Sequence, residues 1–184
     1  MIIAIVGLSG SGKDTVAKHI KERYGIDMIV SYATRPMRDY ETNGVQHWFI
    51  TKAEMQKLKE TEELIAYTIN EKTGDEYCAT QSQVDGKNLV YIIDPKGIYW
   101  LRENAPDVEL LSIYIAVPMD ILKERLKNRG DDEKTFNRRL ETECQQFFEF
   151  EYNKKYDEIV RNTGTQEELF AQIDAILDSW FYLV

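Results

Sequence analysis

Short, uninterrupted apolar runs alternate along this chain with segments in which apolar residues recur every three or four positions. Residues Ile2–Val6 and 89–93 form runs of the first kind, 110–117 repeats the pattern with a single serine, and all three contain β-branched side chains. Such runs are typical of strands that are buried on both faces of a parallel sheet. Ile159 and Val160 predict a last, shorter strand.

Most of these predicted strands are followed by a segment in which apolar residues recur at helical spacing. After a glycine-rich stretch, Val16, Ala17, Ile20 and Tyr24 recur at the helical period, and Gly25 is suited to end that helix. Strands that alternate with helices predict an α/β protein with a parallel central sheet. Further helices are predicted after Pro118, over 136–147, and after the capping pair Thr165 and Glu168.

Two stretches interrupt this alternation. Residues 32–80 combine strand-like segments with a short helix that begins at the capping pair Thr51 and Glu54. Residues 127–132 indicate an exposed, charged turn. The chain has no internal repeat and no Pro/Gly-rich linker. We therefore predict a single domain over 1–184, with a core of 1–31 and 81–184 and an insertion over 32–80.

Size and composition exclude several classes of protein. The 184 residues include 23 Lys and Arg and 32 Asp and Glu, a formal charge of −9. This balance argues against binding to nucleic acid or to an anionic membrane, because both need clustered cations. Two cysteines are too few for a disulfide scaffold, and no apolar run approaches the ~20 residues of a membrane span. We expect a cytoplasmic protein, either a monomer or a homodimer.

The cations are concentrated near the amino terminus. Residues 1–38 contain six Lys and Arg against three Asp and Glu, a net charge of +3, so the other 146 residues carry −12. A basic start in an acidic protein suggests a small anionic ligand rather than a polyanion.

The segment GLSGSGK lies between the first predicted strand and the first predicted helix. Glycines let such a loop curl so that its backbone N–H groups surround a polyphosphate, and Lys13 reaches the β- and γ-phosphates. The standard pattern continues with a Ser or Thr that binds Mg²⁺, whereas here Asp14 and then Thr15 follow. We predict that Thr15, or Asp14 through a water, holds the metal. The residues of this loop predicted to bind ATP are Gly7, Ser9, Gly10, Ser11, Gly12, Lys13, Asp14 and Thr15.

A second motif, SYATRPMR over 31–38, places Arg35 and Arg38 on either side of Pro36. Pro36 favours an extended turn, so both guanidinium groups are expected to converge on one phosphate. At this point the chain resembles the guanylate kinase family of P-loop nucleoside monophosphate kinases. The resemblance continues through GVQHWFIT, DEYCAT, YIIDPKG, ERLKNRG, NRRL and YDEIVRN, and so covers most of the chain.

The resemblance implies a three-layer P-loop NTPase fold with an inserted acceptor-binding subdomain and a short lid at about 127–142. It also implies that the protein uses ATP and Mg²⁺ to phosphorylate a nucleoside 5′-monophosphate. Ser31, Arg35, Arg38 and Tyr77 would hold the acceptor phosphate, with Asp94 near the acceptor and the metal waters.

Arginines of the implied lid complete this set. Arg129 and Arg139 would contact the transferring phosphoryl group, and Asn162 would contact adenine. Phosphoryl transfer is catalysed by positioning and charge neutralisation, which this set of side chains can provide. The predicted catalytic residues are therefore Lys13, Arg35, Arg129 and Arg139, and the predicted metal ligands are Asp14, Thr15 and Asp94.

The positions that read the base depart from the family pattern. The family reads guanine with a glutamate and with a Ser or Thr, where this chain has Ala66 and Ala79. Side chains without polar groups cannot discriminate between bases by hydrogen bonding. Either Glu63 or Thr80 takes over through a register shift, or the acceptor is not GMP. The chain also has His47 in place of a tyrosine and Ile92 in place of a second acidic residue.

The leading hypothesis is a guanylate kinase that acts on GMP or dGMP. A rival keeps the scaffold and phosphorylates another nucleoside monophosphate or ribose 1,5-bisphosphate, since the Lys13–Asp14 pair also resembles ribose bisphosphate phosphokinases. A third hypothesis is a non-catalytic guanylate kinase-like module that binds phosphopeptides. It is less favoured, because such modules have usually lost the lysine and glycines that this loop retains.

Overall fold

A five-stranded parallel sheet forms the centre of the computed structural model, which describes residues 1–39, 41–84, 86–128 and 144–182. Its five strands are β1 (Ile2–Val6), β2 (Asp27–Met28), β7 (Leu89–Ile92), β8 (Leu110–Ala116) and β9 (Glu158–Arg161). They follow the order β2-β7-β1-β8-β9, and all neighbouring strands are parallel. The predicted α/β class with a parallel sheet is confirmed.

Six helices occur in the described part of the chain, and three of them show the caps that the sequence predicts. Gly25, at φ +68°, ends α1 with its N–H donated to the Lys21 carbonyl. Thr51 and Glu54 bond reciprocally before α2, and Thr165 and Glu168 do so before α6. The helices are α1 (Lys13–Tyr24), α2 (Lys52–Thr61), α3 (Pro95–Asn104), α4 (Met119–Asn128), α5 (144–152 in its described part) and α6 (Gln166–Tyr182).

The central sheet separates two apolar cores. In β1, Ile2 and Ala4 face a core shared with α3, α4 and α5, whereas Ile3 and Ile5 face a core shared with α1 and α6. All four side chains are at most 1% exposed, as expected of a strand covered on both faces. The result is a three-layer α/β protein.

A second sheet is built wholly from the predicted insertion over 32–80. Its order is β4-β3-β6-β5, antiparallel except for the pair β3 and β4. Helix α2 covers one face through the fully buried Met55, and Cys78 lies 3.5 Å from the Met55 sulfur. The strands are β3 (Tyr32–Ala33), β4 (Trp48–Phe49), β5 (Leu64–Ile69) and β6 (Glu76–Thr80).

Several predicted elements differ from the structure at their ends. The strand expected over HWFIT is only Trp48–Phe49, because its partner β3 is itself two residues long. Most of the helix predicted over 136–147, and of the lid at 127–142, lies outside the described residues.

Candidate active site

The carboxyl ends of the central strands carry the predicted site residues. The glycine-rich loop follows β1, Asp94 follows β7 by two residues, and Asn162 directly follows β9. The helices that follow the neighbouring strands β1 and β7, α1 and α3, pack on opposite faces of the sheet, and parallel α/β sheets bind ligands at such a point. A cleft of about 630 Å³ opens at this edge, and its walls include Gly7, Ser9, Lys13, Ser31, Tyr77 and Asp94.

The glycine-rich loop needs glycine at the start of α1. Gly12 caps the helix at φ +98°, in the left-handed region that other residues rarely adopt. A Cβ atom at Gly12 would also lie 2.7 Å from the Asn162 amide nitrogen. The loop therefore combines an obligatory backbone conformation with close packing against the end of β9.

Lys13 lies folded over its own loop and borders the cleft. Its Nζ donates to the carbonyl oxygens of Gly7 at 2.7 Å and Leu8 at 2.9 Å. This places the ammonium group beside the positive end of α1. The Ser11 hydroxyl, in the same loop, is buried and has no hydrogen-bond partner within the described residues. Together these features are suited to binding an anion, and the role of this loop in binding the ATP phosphates stays a prediction.

The side chain of Asn162 is hydrogen-bonded to the glycine-rich loop. Its Nδ2 donates to the Ser11 carbonyl at 2.8 Å, and Arg125 donates to its Oδ1 at 3.2 Å and to its backbone oxygen at 3.0 Å. The side chain is only 7% exposed. Its amide therefore positions the loop, and the predicted contact with adenine stays a prediction.

The two arginines of the SYATRPMR motif meet at one carboxylate. Arg35 donates to both oxygens of Glu41, each at 2.6 Å, and the Arg38 backbone N–H donates to Glu41 at 2.9 Å. The Arg38 guanidinium lies 3.8 Å from the same carboxylate. Bonding to Arg35 lowers the pKa of Glu41 to about 2. The arginines converge on one anion, but in this structure the anion is Glu41.

Sequence reasoning did not identify Glu41. It lies three residues after Arg38, a spacing that turns its carboxylate back toward the motif. The side chain of Glu41 is 3% exposed and that of Arg35 is 10% exposed, so solvent has little access to the ion pair. Arg35 also lies over the ring of Phe49, 5.1 Å from its centre. Glu41 thus holds Arg35 in a fixed orientation against Phe49.

Ser31, His47 and Tyr77 line one end of the cleft together, the end at which Ser31 and Tyr77 are predicted to hold the acceptor phosphate. The Ser31 Oγ lies 2.8 Å from His47 Nδ1, and the rings of His47 and Tyr77 meet edge-on at 5.7 Å. Burial raises the pKa of the Tyr77 phenol, although the neighbouring Arg35 opposes this effect. Burial, reinforced by the charge of Arg35, lowers the pKa of His47 to about 4.

Asp94 has a structural contact as well as a place in the cleft wall. It caps α3 by accepting the Gly97 N–H at 2.7 Å. The other predicted metal ligands, Asp14 and Thr15, lie exposed in the first turn of α1. No cluster of three His, Cys, Asp or Glu side chains suited to a metal occurs in the described segments. A Mg²⁺ ion here would take most of its ligands from nucleotide phosphates and water, as this ion commonly does.

The strand register places Ala66 and Ala79 opposite each other. Both are buried, at 2% and 0% exposure, and the β5–β6 register shifts between Leu64 and Ala66. This shift does not bring Glu63 or Thr80 to the cleft wall. Glu63 is exposed, and the Thr80 hydroxyl is fully buried 3.0 Å from that of Ser82.

The two arginines predicted in the lid, Arg129 and Arg139, lie outside the described residues. No helix in the described segments is long and apolar enough to cross a membrane.

The three-layer fold, with a glycine-rich loop after its central strand, defines the P-loop NTPase class of α/β proteins. Within that class, the family model described as guanylate kinase matches residues 1–179. The chain belongs to the guanylate kinase family, and it is thereby an enzyme of the nucleoside monophosphate kinase type.

Individual relatives agree with this assignment. The chain is 33% identical to a guanylate kinase of Thermobifida fusca, covering 95% of this chain and 91% of that one. It is 28% identical to a guanylate kinase of Fusobacterium nucleatum, covering 90% of each chain. The crystal structure of guanylate kinase from Anaplasma phagocytophilum superimposes with a TM-score of 0.70 at 25% identity, covering 97% of this chain and 85% of that chain.

Proposed function

We propose that this protein transfers the γ-phosphoryl group of ATP to a nucleoside 5′-monophosphate in the cytoplasm, with GMP and dGMP as the first acceptors. One observation carries the proposal: a single cleft joins the glycine-rich loop and Lys13 to Ser31 and Tyr77. A donor and an acceptor phosphate bound at these two ends would lie in the same space. This is what direct transfer requires, because phosphoryl transfer is catalysed mainly by positioning and charge neutralisation.

The residues have separate roles in this scheme. The loop amides and Lys13 bind the ATP phosphates, and Asn162 keeps the loop in its binding conformation. Arg35, held by Glu41 and close to Tyr77, supplies positive charge for the acceptor phosphate, with Arg38 beside it. Bound Mg²⁺ would neutralise phosphate charge, and Asp14, Thr15 and Asp94 remain its proposed partners, directly or through water.

Two further segments complete the proposed scheme. The insertion over 32–80 would act as the acceptor-binding unit, and the lid at about 127–142 would bring Arg129 and Arg139 to the transferring group. Closure of such a lid removes water and strengthens the electrostatic interactions inside the site.

A second candidate acceptor class is favoured by one observation. Ala66 and Ala79 occupy paired positions in the acceptor sheet, and neither Glu63 nor Thr80 replaces them at the cleft wall. A site without those polar groups discriminates less strongly between bases. Other nucleoside monophosphates or ribose 1,5-bisphosphate are therefore the acceptors to compare with GMP.

ADP release in the presence of ATP and Mg²⁺ tests the proposal. The acceptor panel is GMP, dGMP, AMP, UMP, CMP, dTMP and ribose 1,5-bisphosphate. We expect turnover with GMP and dGMP. Turnover restricted to other acceptors would refute guanylate kinase activity but would still support phosphoryl transfer by this protein. No turnover with any acceptor would refute the kinase and favour a non-catalytic binding module.

A further inference from the structure

Arg125 connects helix α4 to the residue that follows β9. Its Nη2 atom donates to the Asn162 backbone oxygen at 3.0 Å and to the Asn162 Oδ1 atom at 3.2 Å. One guanidinium nitrogen therefore bonds both the main chain and the side chain of the same residue. The Arg125 side chain is partly buried, and Asn162 is only 7% exposed, so water competes little for these bonds.

The guanidinium group determines which end of the Asn162 amide faces the glycine-rich loop. Arginine only donates hydrogen bonds, so it binds the amide oxygen and leaves the Nδ2 group on the other side. That Nδ2 group donates to the Ser11 carbonyl at 2.8 Å, in a contact buried from solvent. A reversed amide would place its oxygen against the Ser11 carbonyl and its N–H groups against the cation. Arg125 therefore selects the amide orientation that bonds the loop.

The bonded carbonyl sets the direction of the next backbone N–H group. In a planar trans peptide the C=O and N–H bonds point in opposite directions. Because the Ser11 carbonyl faces Asn162, the Gly12 N–H points away from Asn162. The two segments also pack closely, since a Cβ atom at Gly12 would lie 2.7 Å from the Asn162 amide nitrogen. The Ser11–Gly12 peptide is thus held in one orientation from the side of β9.

Several N–H groups at the start of α1 are left for a ligand. The helix has no side-chain cap, and the N–H groups of Gly12, Asp14 and Thr15 donate to no other group in the described part of the chain. Unpaired N–H groups and the partial positive charge at the start of a helix favour an anion. The orientation of the Ser11–Gly12 peptide therefore affects how well these donors converge on one phosphate group.

We propose that Arg125 is a positioning residue for the ATP phosphates, which orients the Asn162 amide so that the Ser11–Gly12 peptide presents its N–H group to them. The inference rests on the proposed binding of ATP at the glycine-rich loop. Arg125 acts on the nucleotide through Asn162 and does not touch it. Its removal should therefore weaken ATP binding and leave acceptor binding unchanged.

Calorimetric titration with ATP and Mg²⁺ tests the positioning role without requiring turnover. Arg125→Met removes both hydrogen bonds to Asn162 and should raise the Kd for ATP about tenfold, as expected for bonds that involve a charged group. Arg125→Lys keeps the charge and one donor nitrogen, so it should recover part of the loss. In kinetics, Arg125→Met should raise the KM for ATP and leave the KM for GMP unchanged. A wild-type Kd for ATP in Arg125→Met would overturn the proposal.

Arg102 provides the matched control, because it makes equivalent contacts at the other end of β9. Arg102 donates to the Lys155 carbonyl at 3.0 Å and pairs with Asp157, which directly precedes the strand. Arg102→Met and Arg125→Met should both lower the Tm, but Arg102→Met should leave the Kd for ATP unchanged. An equal loss of ATP affinity in both variants would trace the effect to lower stability, and the positioning role would be wrong.

A double-mutant cycle decides whether Arg125 acts through Asn162. If it does, Arg125→Met combined with Asn162→Ala should bind ATP no more weakly than Asn162→Ala alone. Losses of affinity that multiply would indicate a direct contact between Arg125 and the nucleotide and would refute the positioning role.

The same titrations separate this inference from the proposed function. If the wild-type protein binds no ATP, the proposed function and the role of Arg125 both fail. If the wild-type protein binds ATP but releases no ADP with any acceptor, only the transferase proposal fails. The affinities of the Arg125 and Asn162 variants for ATP then still decide whether Arg125 positions the loop.

Discussion

Replacing Glu41 by glutamine tests the buried ion pair that holds Arg35. Glu41 accepts two hydrogen bonds of 2.6 Å from Arg35 and one of 2.9 Å from the Arg38 N–H, at 3% side-chain exposure. The pKa of this carboxyl falls from an ordinary 4.5 to about 2. At 1.36 kcal/mol per pKa unit, this corresponds to roughly 3 kcal/mol of stability at neutral pH. Glu41→Gln removes the charge but keeps the shape.

The expected effect is large enough to measure by thermal denaturation. For a domain of this size, a loss of about 3 kcal/mol lowers the Tm by roughly 6–12 °C. The matched control is Glu103→Gln on the exposed face of α3, which should change the Tm very little. Circular dichroism at pH 7 compares the three proteins.

The pH dependence of this difference has a definite sign. The folded pKa of Glu41 lies below its unfolded value, so its contribution is complete above about pH 4.5 and is lost as the pH falls toward 2. The Tm difference between wild type and Glu41→Gln should therefore be constant from pH 7 to 5 and shrink below pH 4.5. An equal Tm at pH 7, or a difference that persists undiminished at pH 3, would refute the reasoning.

Three further predictions concern the two ends of the cleft. Lys13→Met should lower kcat for ADP release by orders of magnitude while the fold stays intact. The control Lys18→Met, on the exposed face of α1, should leave kcat unchanged. Equal activity of the two variants would show that Lys13 has no role in catalysis. Asn162→Ala removes the hydrogen bond to the Ser11 carbonyl, so the variant should be about 1–3 kcal/mol less stable than the wild type and should bind ATP more weakly in calorimetry. An unaltered ATP affinity would contradict the role of Asn162 in holding the loop. The value of kcat/KM for the acceptor should fall below about pH 6, because the substrate phosphate becomes protonated there. His47, with a pKa of about 4, stays neutral over this range and should add no second titration. Proton uptake by the free enzyme near about pH 6.5 would count against this prediction.

Much of the architecture could be predicted from local sequence patterns. The buried runs at β1 and β7 lack charged residues and strongly polar groups, β8 is interrupted only by Ser112, and a sheet covered on both faces accommodates such runs. The capping pairs at Thr51 and Thr165 marked the starts of α2 and α6 to the residue. Strands β2 and β3 were not predicted, because each has only two residues and depends on its partner strand for its existence.

The candidate site could be predicted only in part. The loop from Gly7 to Lys13 is contiguous in sequence, so its conformation and chemistry could be inferred from spacing. The same spacing indicated that Arg35 and Arg38 share one anion. It did not show that Glu41 is that anion in this structure, since Asp27 and Asp39 also lie near the motif and only packing selects one of the three.

The α/β class, the order of the main elements and the glycine-rich loop could be read from sequence patterns, since each depends on residues close together along the chain. Which distant groups meet became visible with the folded chain. It bonded Asn162 to the loop 151 residues earlier, set Ala66 opposite Ala79, and placed the Ser31 hydroxyl against His47. Such contacts depend on strand register and on which side chains can be buried together. Both are properties of the whole folded chain rather than of any one segment.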